Sequence, residues 1–418
     1  MMRWRSPIRG PWLTSMFALP LLVGLPVVAF TGLLDRLAYG REQAIPAADA
    51  VGGLQLPWVD WPVSPAWLFR LTEGLHVGLG IVLVPLVLAK LWSVIPKLFT
   101  APERNPVKLL ERLSLVLLVG SILFLIVTGL LNVQYDYVFG FSFSFYDGHY
   151  AAAWVFLASF ALHVVTKLPT MVRSLRSRSL RAELATPLAD TRPEPAAHPL
   201  VAPDPDPPTM SRRGAIALVG GGMLFVAALT VGQFTDQLRS TALLLPRGRT
   251  TAPGSTERGG PNDFPVNRTF VASGIAPAAV GSAWTLTLTG GATPVVLDRA
   301  ALAALPQHTA ELPLACVEGW STSQVWTGVR LTDLARAAGV TDPATAEVRS
   351  VEVGSPFSRS LLNRAQTLSP DSLLALRVNG ADLSPDHGYP ARLIVPALPG
   401  VHNTKWVATI GFSRAALR

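Results

Sequence analysis

"LACVEGWSTSQVWTGVRL", residues 314–331, holds the only cysteine of the 418-residue chain, Cys316. Apolar residues lead into it and a Glu-Gly-Trp-Ser turn follows it. A single cysteine forms no internal disulfide, so it is an inert core residue, a reactive thiol or a metal ligand. The strands and helices around it decide which kind of domain this is.

From residue 284 the chain reads as short strands separated by Pro- and Gly-rich turns: "WTLTLTG", "PVVLD", "EVRSVEV", "LLALRVN" and "ARLIVPA". Two helical stretches, "DRAALAALP" and "RLTDLARAAGV", lie between them. This pattern predicts an α+β domain with a mixed sheet over residues 234–418, long enough to bury a core.

Upstream the composition changes. Half of the chain is hydrophobic and 15% is charged, which suits a part-membrane, part-globular protein rather than one compact domain. Apolar runs long enough to cross about 30 Å of hydrocarbon appear at roughly 12–34, 68–92, 112–132, 150–169 and 214–233. The formal charge of +8 does not point to nucleic acid, because the basic residues flank these runs. Arg3, Arg5 and Arg9 precede the first run; Lys97, Arg104, Lys108 and Arg112 separate the second from the third. Lys167, Arg173, Arg176, Arg178 and Arg181 follow the fourth, and Arg212–Arg213 precede the fifth. The segment between runs three and four, "NVQYDYVFGFSFSFYDG", has neither Lys nor Arg. Positive-inside topology then predicts a multi-pass protein of the inner or plasma membrane, with the N-terminus cytoplasmic and residues 234–418 outside. Membrane lipid is a predicted partner.

"LPWVDWPVSPAW", after the first run, reads as an interfacial segment at the outer face. Residues 182–210 are Pro- and Ala-rich and read as a disordered cytoplasmic linker, with His198 a solvated residue in it. Residues 211–233 form a fifth span that opens "SRRGAIALVGGG". Its paired arginines resemble a twin-arginine export signal, or are two more positive-inside residues.

Three histidines lie in or beside the spans. His149 and His163 are fourteen residues apart, close to four helical turns, so they share a face at depths about 21 Å apart. His76, in "LTEGLHVGLG", matches His149 in depth. Gly74, Gly78 and Gly80 near it leave room for a macrocycle or for close helix packing. Intramembrane histidines bind iron or bond between helices.

Residues 1–181 resemble the four-helix membrane cytochrome b family, seen in formate dehydrogenase membrane subunits and cytochrome b561-like proteins. The resemblance implies that His76, His149 and His163 are haem-iron candidates. One haem b would pair His76 with His149, and a second lacks the histidine that the family carries on the first span; His163 is then a leftover ligand, a propionate contact or itself the partner of His76.

The C-terminal segment, from "WTLTLTG" through "LACVEGWSTSQVWTGVRL" and "DHGYPARLIVPALPGVHNTKWV", resembles the molybdopterin domain of the sulfite oxidase family. The resemblance implies a molybdenum–molybdopterin cofactor, with Cys316 as thiolate ligand, a soft donor for that metal. It also implies that Asn267 and His387 approach the pterin or the metal pocket. Arg392, Lys405 and Arg268 would hold the pterin phosphate. Glu318, Trp320 and Trp326 are expected to shape the loop and core, Asp386 to begin a turn ending at Gly388, and His402 has no assigned role. The other readings of these residues are a turn Asn, a surface His, solvated cations and a structural Cys.

Sulfite-oxidising members of that family place arginines just after the cysteine, whereas Val-Glu-Gly-Trp-Ser stands here. That shifts the expectation toward the reductase-like branch. The sequence thus predicts a membrane-bound enzyme exchanging electrons between a quinone/quinol or other membrane donor, a b-type haem and an extracytoplasmic molybdenum centre. That centre would transfer an oxygen atom with a small substrate such as a sulfoxide. The rivals are a sulfite-oxidising dehydrogenase with reversed electron flow and a cofactor-free, membrane-anchored binding module.

Overall fold

The structure is a computed structural model that describes residues 5–39, 59–99, 105–134, 145–194, 203–242, 259–355 and 358–415. Arg3, Trp58, Arg104, His198 and most of the segment between runs three and four lie outside the described residues.

The apolar runs are helices: α1 Pro11–Ala38, α2 Leu68–Glu73, α3 Val84–Leu98, α4 Pro106–Gln134, α5 Phe145–Arg176, α6 Leu180–Ala185 and α7 Arg212–Thr230. Between α2 and α3 the chain makes a π-helical stretch, Gly74–Leu79, and a short helical turn, Gly80–Val82. Among the described residues, four helices are long and apolar enough to cross a membrane. There are five if the pair Leu68–Val82 and Val84–Ile95, bent by 42°, counts as one.

The described residues form two compact units: 1–30, 75–132 and 136–229 in one, 31–74, 133–135 and 230–418 in the other. The first unit has an apolar core that includes Trp12, Leu13, Phe17, Leu86, Val87 and Phe156.

Two expectations are corrected by these contacts. Residues 182–194 are folded, not a disordered linker. The segment carries most of α6, and its carboxylates have fixed partners: Glu183 pairs with Arg178 at 2.5 Å and Arg212 at 3.4 Å. The Glu194 carboxylate accepts the Trp12 backbone N–H at 3.2 Å, capping one of the open donors at the start of α1. A Cβ at Gly10 would overlap that carboxylate, so glycine leaves the room it occupies. Composition counts prolines and misses two acids placed against cations and a helix start. Arg212, half of the arginine pair, is buried in this network, whereas Arg213 is exposed.

The domain boundary also moves. Residues 31–38 and 59–74 belong with the second unit, because Ala38, Trp61 and Phe69 share one buried core with Leu286, Val329, Leu393 and Ile410. Trp61 is 7% exposed and its indole N–H donates to the Ala397 carbonyl at 2.7 Å. This tryptophan of the expected interfacial loop is therefore a core residue, while Trp67 stays 54% exposed.

The second unit holds two sheets. The strands are β1 Thr285–Thr289, β2 Val295–Asp298, β3 Gln307–Cys316, β4 Trp320–Arg330, β5 Thr345–Ser350, β6 Arg359–Leu362, β7 Leu373–Val378, β8 Ala381–Asp382, β9 Arg392–Ile394 and β10 Val407–Ser413. One sheet runs β2-β1-β10-β5-β6 and is mixed, because β1 pairs with β10 in parallel and the rest are antiparallel. The other runs β3-β4-β7-β8, with β9 also on β7, and is antiparallel throughout. Alternate residues of β1, Leu286 and Leu288, are fully buried, as a half-buried strand requires. Helices α8 Arg299–Ala304, α9 Leu331–Ala337 and α10 Arg364–Leu368 lie between the strands in sequence. The long β3–β4 hairpin delivers Cys316 to its tip.

Candidate functional site

Cys316 ends β3 and faces Trp320 in register across the hairpin. The turn between them closes by the Gly319 N–H donating to the Cys316 carbonyl at 2.9 Å, with Gly319 at φ +75°. That φ is glycine's region, so the turn type follows from residue 319. The cysteine is 2% exposed. Its Sγ lies 3.8 Å from Glu318 Oε2, which accepts the Trp320 indole N–H at 3.0 Å. Burial, then the Glu318 charge, push the thiol well above its ordinary pKa; only strong positive charge nearby makes a thiolate here.

Positive charge is built into the neighbourhood. Arg392 begins β9 and Lys405 sits just before β10; both are buried, at 3% and 8% exposure. Burial lowers Arg392 to about 10 and Lys405 to about 7, and the Cys316 charge works against burial at both. Lys405 Nζ donates to the carbonyls of Arg268 and Asp386, each at 2.8 Å. Arg392 Nη1 reaches the His387 carbonyl at 3.4 Å, and its Nε has no hydrogen-bond partner among the described residues. Neither cation makes an ion pair among the described residues. Asp386 and Glu318 act on Lys405 only from beyond ion-pair distance, and two buried cations so weakly compensated are costly unless an anion is supplied. The donor set thus fits a ligand with a phosphate group beside a thiolate-bound metal.

Gly388 explains how these two side chains come together. It adopts φ +107°, and a Cβ there would meet Lys405 Cβ at 3.1 Å and Arg392 Cβ at 3.2 Å. His387 is buried and stacked on Phe264, ring centres 3.7 Å apart. Its Nε2 donates to the Asn262 carbonyl at 2.8 Å, which fixes the neutral tautomer. Burial, Lys405 and Arg392 hold His387 well below its ordinary pKa.

The structure therefore groups Cys316, His387, Arg392 and Lys405, with Asn267 and Arg268 joined to them through Lys405. The last two are already engaged. Arg268 Nε and Nη2 bind Glu352 at 3.0 and 2.9 Å, so its charge is compensated. The Asn267 amide oxygen accepts the Arg268 N–H at 2.8 Å, the role of a turn asparagine.

Other residues hold the cysteine hairpin from afar. Asp236 accepts from the Thr322 hydroxyl at 2.8 Å and the Ser323 N–H at 3.2 Å. Arg239 pairs with Asp236 and donates to the Ser321 carbonyl at 3.0 Å. Arg70 bonds Ser323 Oγ at 2.8 Å and the Phe234 carbonyl at 2.6 Å. No local pattern announces these contacts, since Arg70 lies 253 residues from Ser323. They place two arginines by Ser321–Ser323, a stretch whose own sequence is uncharged.

His402 is buried and lowered to about 4 by burial, against a hydrogen bond to the Tyr39 backbone. A folded-state pKa below the ordinary 6.5 means that the unfolded chain binds more protons between pH 6.5 and 4. This group therefore withdraws stability as pH falls through that window. At about 1.4 kcal/mol per pH unit, it removes about 2 kcal/mol between about pH 6.5 and 4.5. Urea unfolding followed by tryptophan fluorescence should show His402→Gln losing that much less than the parent over the interval; equal losses would contradict it.

In the first unit, the His76 and His149 rings lie 6.0 Å apart, centre to centre, at 82°. His76 Nδ1 bonds the Val28 carbonyl at 2.8 Å and His149 Nδ1 bonds Thr128 Oγ1 at 3.0 Å. With both Nδ1 atoms occupied, Nε2 is the metal-competent nitrogen of each ring. Two imidazoles bound to one metal through bonds of about 2 Å each have ring centres about 6 Å apart, so the spacing is compatible with the two rings sharing one metal. A Cβ at Gly129 would approach His149 Cε1 to 3.3 Å, so glycine makes room for that ring. His163 is not brought to them; it lines a cavity further along α5.

Residues 273–417 match the family described as the oxidoreductase molybdopterin binding domain. The chain is 34% identical over 122 residues to "Uncharacterized oxidoreductase YuiH" of Bacillus subtilis (strain 168), covering 29% of this chain and 60% of that protein. It is 32% identical over 151 residues to the mitochondrial sulfite oxidase of Drosophila melanogaster, covering 30% of this chain and 26% of the other. With the nitrate reductase [NAD(P)H] of Hordeum vulgare it shares 36% over 102 residues, 22% of this chain and 11% of that one. The chain thus spans less than two thirds of each of these relatives. The matched segment contains Cys316, His387, Arg392 and Lys405. Residues 273–417 thus carry an oxidoreductase molybdopterin binding domain, similar in sequence to sulfite oxidases and nitrate reductases.

Proposed function

We propose that the chain is a membrane-bound oxidoreductase that exchanges oxygen between water and a small neutral substrate, such as a sulfoxide, beside Cys316. When bound, the molybdenum cofactor supplies two-electron oxygen-atom transfer. In the reductive direction the sulfoxide takes up two electrons and two protons and leaves as sulfide and water. Cys316 would supply the thiolate ligand; Arg392 and Lys405 would hold the cofactor's phosphate by charge-assisted hydrogen bonds; His387, fixed by Asn262 and Phe264, would stand beside them.

One observation carries the choice of substrate. Glu318, a buried carboxylate 3.8 Å from the cysteine sulfur, stands beside the ligand where an oxyanion such as sulfite would be repelled. A neutral sulfoxide meets no such penalty. His76 and His149 would hold one b-type haem, linking the site to a quinol or other membrane donor. The 6.0 Å ring spacing and the two Nδ1 hydrogen bonds support that reading. The helices of spanning length support placement in a membrane, with the C-terminal unit outside the cytoplasm by the basic-residue asymmetry.

The purified, molybdenum-loaded protein should reduce sulfoxides with a reduced viologen as donor, and should oxidise sulfite with ferricyanide only at a far higher KM. Glu318→Gln is expected to lower the KM for sulfite about tenfold, one charge–charge contact's worth. Efficient sulfite oxidation by the parent, with no sulfoxide turnover, would contradict the proposal.

A further inference from the structure

Two buried carboxyl groups of the second unit have no part in the site as described. Asp35, in the last turn of α1, and Glu73, at the end of α2, are 5% and 6% exposed. The Tyr39 ring packs edge-on against Phe69 of α2 at 6.2 Å, and Phe69 shares a core with Ala315 of β3. Each carboxyl lies within hydrogen-bond reach of the other, and among the described residues no cation acts on either. Thr72 is the other side chain that reaches Asp35, and its hydroxyl also donates to the Phe69 carbonyl at 3.2 Å. Arg70, a turn before Glu73, is turned to Ser323 and the Phe234 carbonyl. Two carboxyl groups buried face to face without a cation cannot both ionise, so the pair keeps a proton between them.

Glu73 also bears on the thiol. Helix α2 packs against β3, and the Glu73 charge acts on the Cys316 sulfur. Phe234 lies against Gly74, where a Cβ would meet its ring at 3.5 Å. Gln233, the residue before it, is fully buried, and neither of its amide atoms is hydrogen-bonded among the described residues; the same holds for the Ser321 hydroxyl. One guanidinium, that of Arg239, donates to the Gln233 carbonyl at 3.3 Å and the Ser321 carbonyl at 3.0 Å, which makes these two residues neighbours. Ser321 in turn follows Trp320, the cross-strand partner of Cys316. Buried amide and hydroxyl groups of this kind are where a bridging water binds.

The chemistry proposed above needs such a path. Reducing a sulfoxide breaks its S–O bond and forms two O–H bonds, so two protons must reach a thiol that is 2% exposed, while the two electrons come from the membrane donor. We propose that Asp35 and Glu73 deliver these protons to the Cys316 site, with Gln233 and Ser321 carrying the last stretch. The inference rests on the oxygen-transfer reading above. Glu73 releases one proton at a time toward the departing oxygen, and Asp35, near the end of α1, takes up its replacement. None of the four touches the substrate; they position and pass the proton.

Infrared and kinetic measurements on the full-length protein test the relay. In the difference spectrum between the parent and Asp35→Asn/Glu73→Gln at neutral pH, the parent contributes the carbonyl stretch of a protonated carboxyl, shifted in deuterium oxide. With molybdenum loaded, reduced viologen as donor and a sulfoxide as substrate, Glu73→Gln lowers kcat about a hundredfold. Its KM and unfolding midpoint stay parental, its solvent isotope effect rises, and Glu73→Asp recovers part of the rate. A difference spectrum without that stretch overturns the pair whatever the substrate, as does a Glu73→Gln enzyme with parental kcat and isotope effect. A parent that shows the stretch but reduces no sulfoxide overturns the substrate reading alone. Oxygen transfer in the opposite direction releases two protons, so the same variants must then slow the oxidation that the parent does catalyse, and an unchanged rate there overturns the relay.

Discussion

Cys316→Ser is expected to lose turnover by about a thousandfold or more, on the order of 4 kcal/mol in the barrier, while its fold persists. Serine is close in size, and the site already tolerates a polar neighbour in Glu318. One buried hydroxyl costs only about 1 kcal/mol in stability, so far-UV circular dichroism and the unfolding midpoint should barely move. Ligation is different. A hydroxyl is a harder and far less acidic donor than a thiol, and Glu318 opposes its ionisation as it opposes that of the thiol. The loss should therefore appear in turnover and metal retention together. A folded variant with parental turnover would show that Cys316 is a core residue after all.

The second large effect concerns the spans. On the proposed haem reading, His76→Ala and His149→Ala should each remove the b-type band from the reduced-minus-oxidised spectrum, because either removes one of the two histidines that would hold the iron. His163→Ala should leave the band in place, since His163 is about 21 Å along the helix from His149. Gly129→Ala is a milder probe. Its added methyl would press on His149 Cε1 at 3.3 Å and should shift the band rather than abolish it. A parent without any b-type band would sink the haem pair, yet leave the C-terminal site untouched.

What is legible in the sequence follows its local signals. Four of the five apolar runs are continuous helices, as their length and hydropathy predict, and the second is a helix pair bent by 42°. The strand "WTLTLTG" is real because its apolar residues alternate, whereas "PVVLD" is a short continuous apolar run in which Val296 faces out. The β3–β4 hairpin that carries Cys316 is not read as strands from its pattern, since β3 contains Pro313 and its first half is largely exposed. Strand β10, "VATIGFS", lies at the centre of the mixed sheet, yet its Gly411 and short alternation give a weak signal.

At the site, Cys316, His387, Arg392 and Lys405 are accessible through resemblance, and the structure adds what joins them: Gly388, Phe264 and Asn262. Arg70, Asp236 and Arg239 are not accessible, because long-range polar contacts leave no periodicity. The folded stretch 182–194 is hidden for a related reason. Its order comes from Glu183 and Glu194 meeting cations and a helix start elsewhere, and not from its own composition.

The most direct test is X-ray absorption at the molybdenum edge, on parent protein and on Cys316→Ser purified alike. The account predicts a parent sulfur shell that includes a protein thiolate, and loss of one sulfur scatterer, or of the metal itself, in the variant. Full molybdenum content with an unchanged sulfur shell in Cys316→Ser would contradict it.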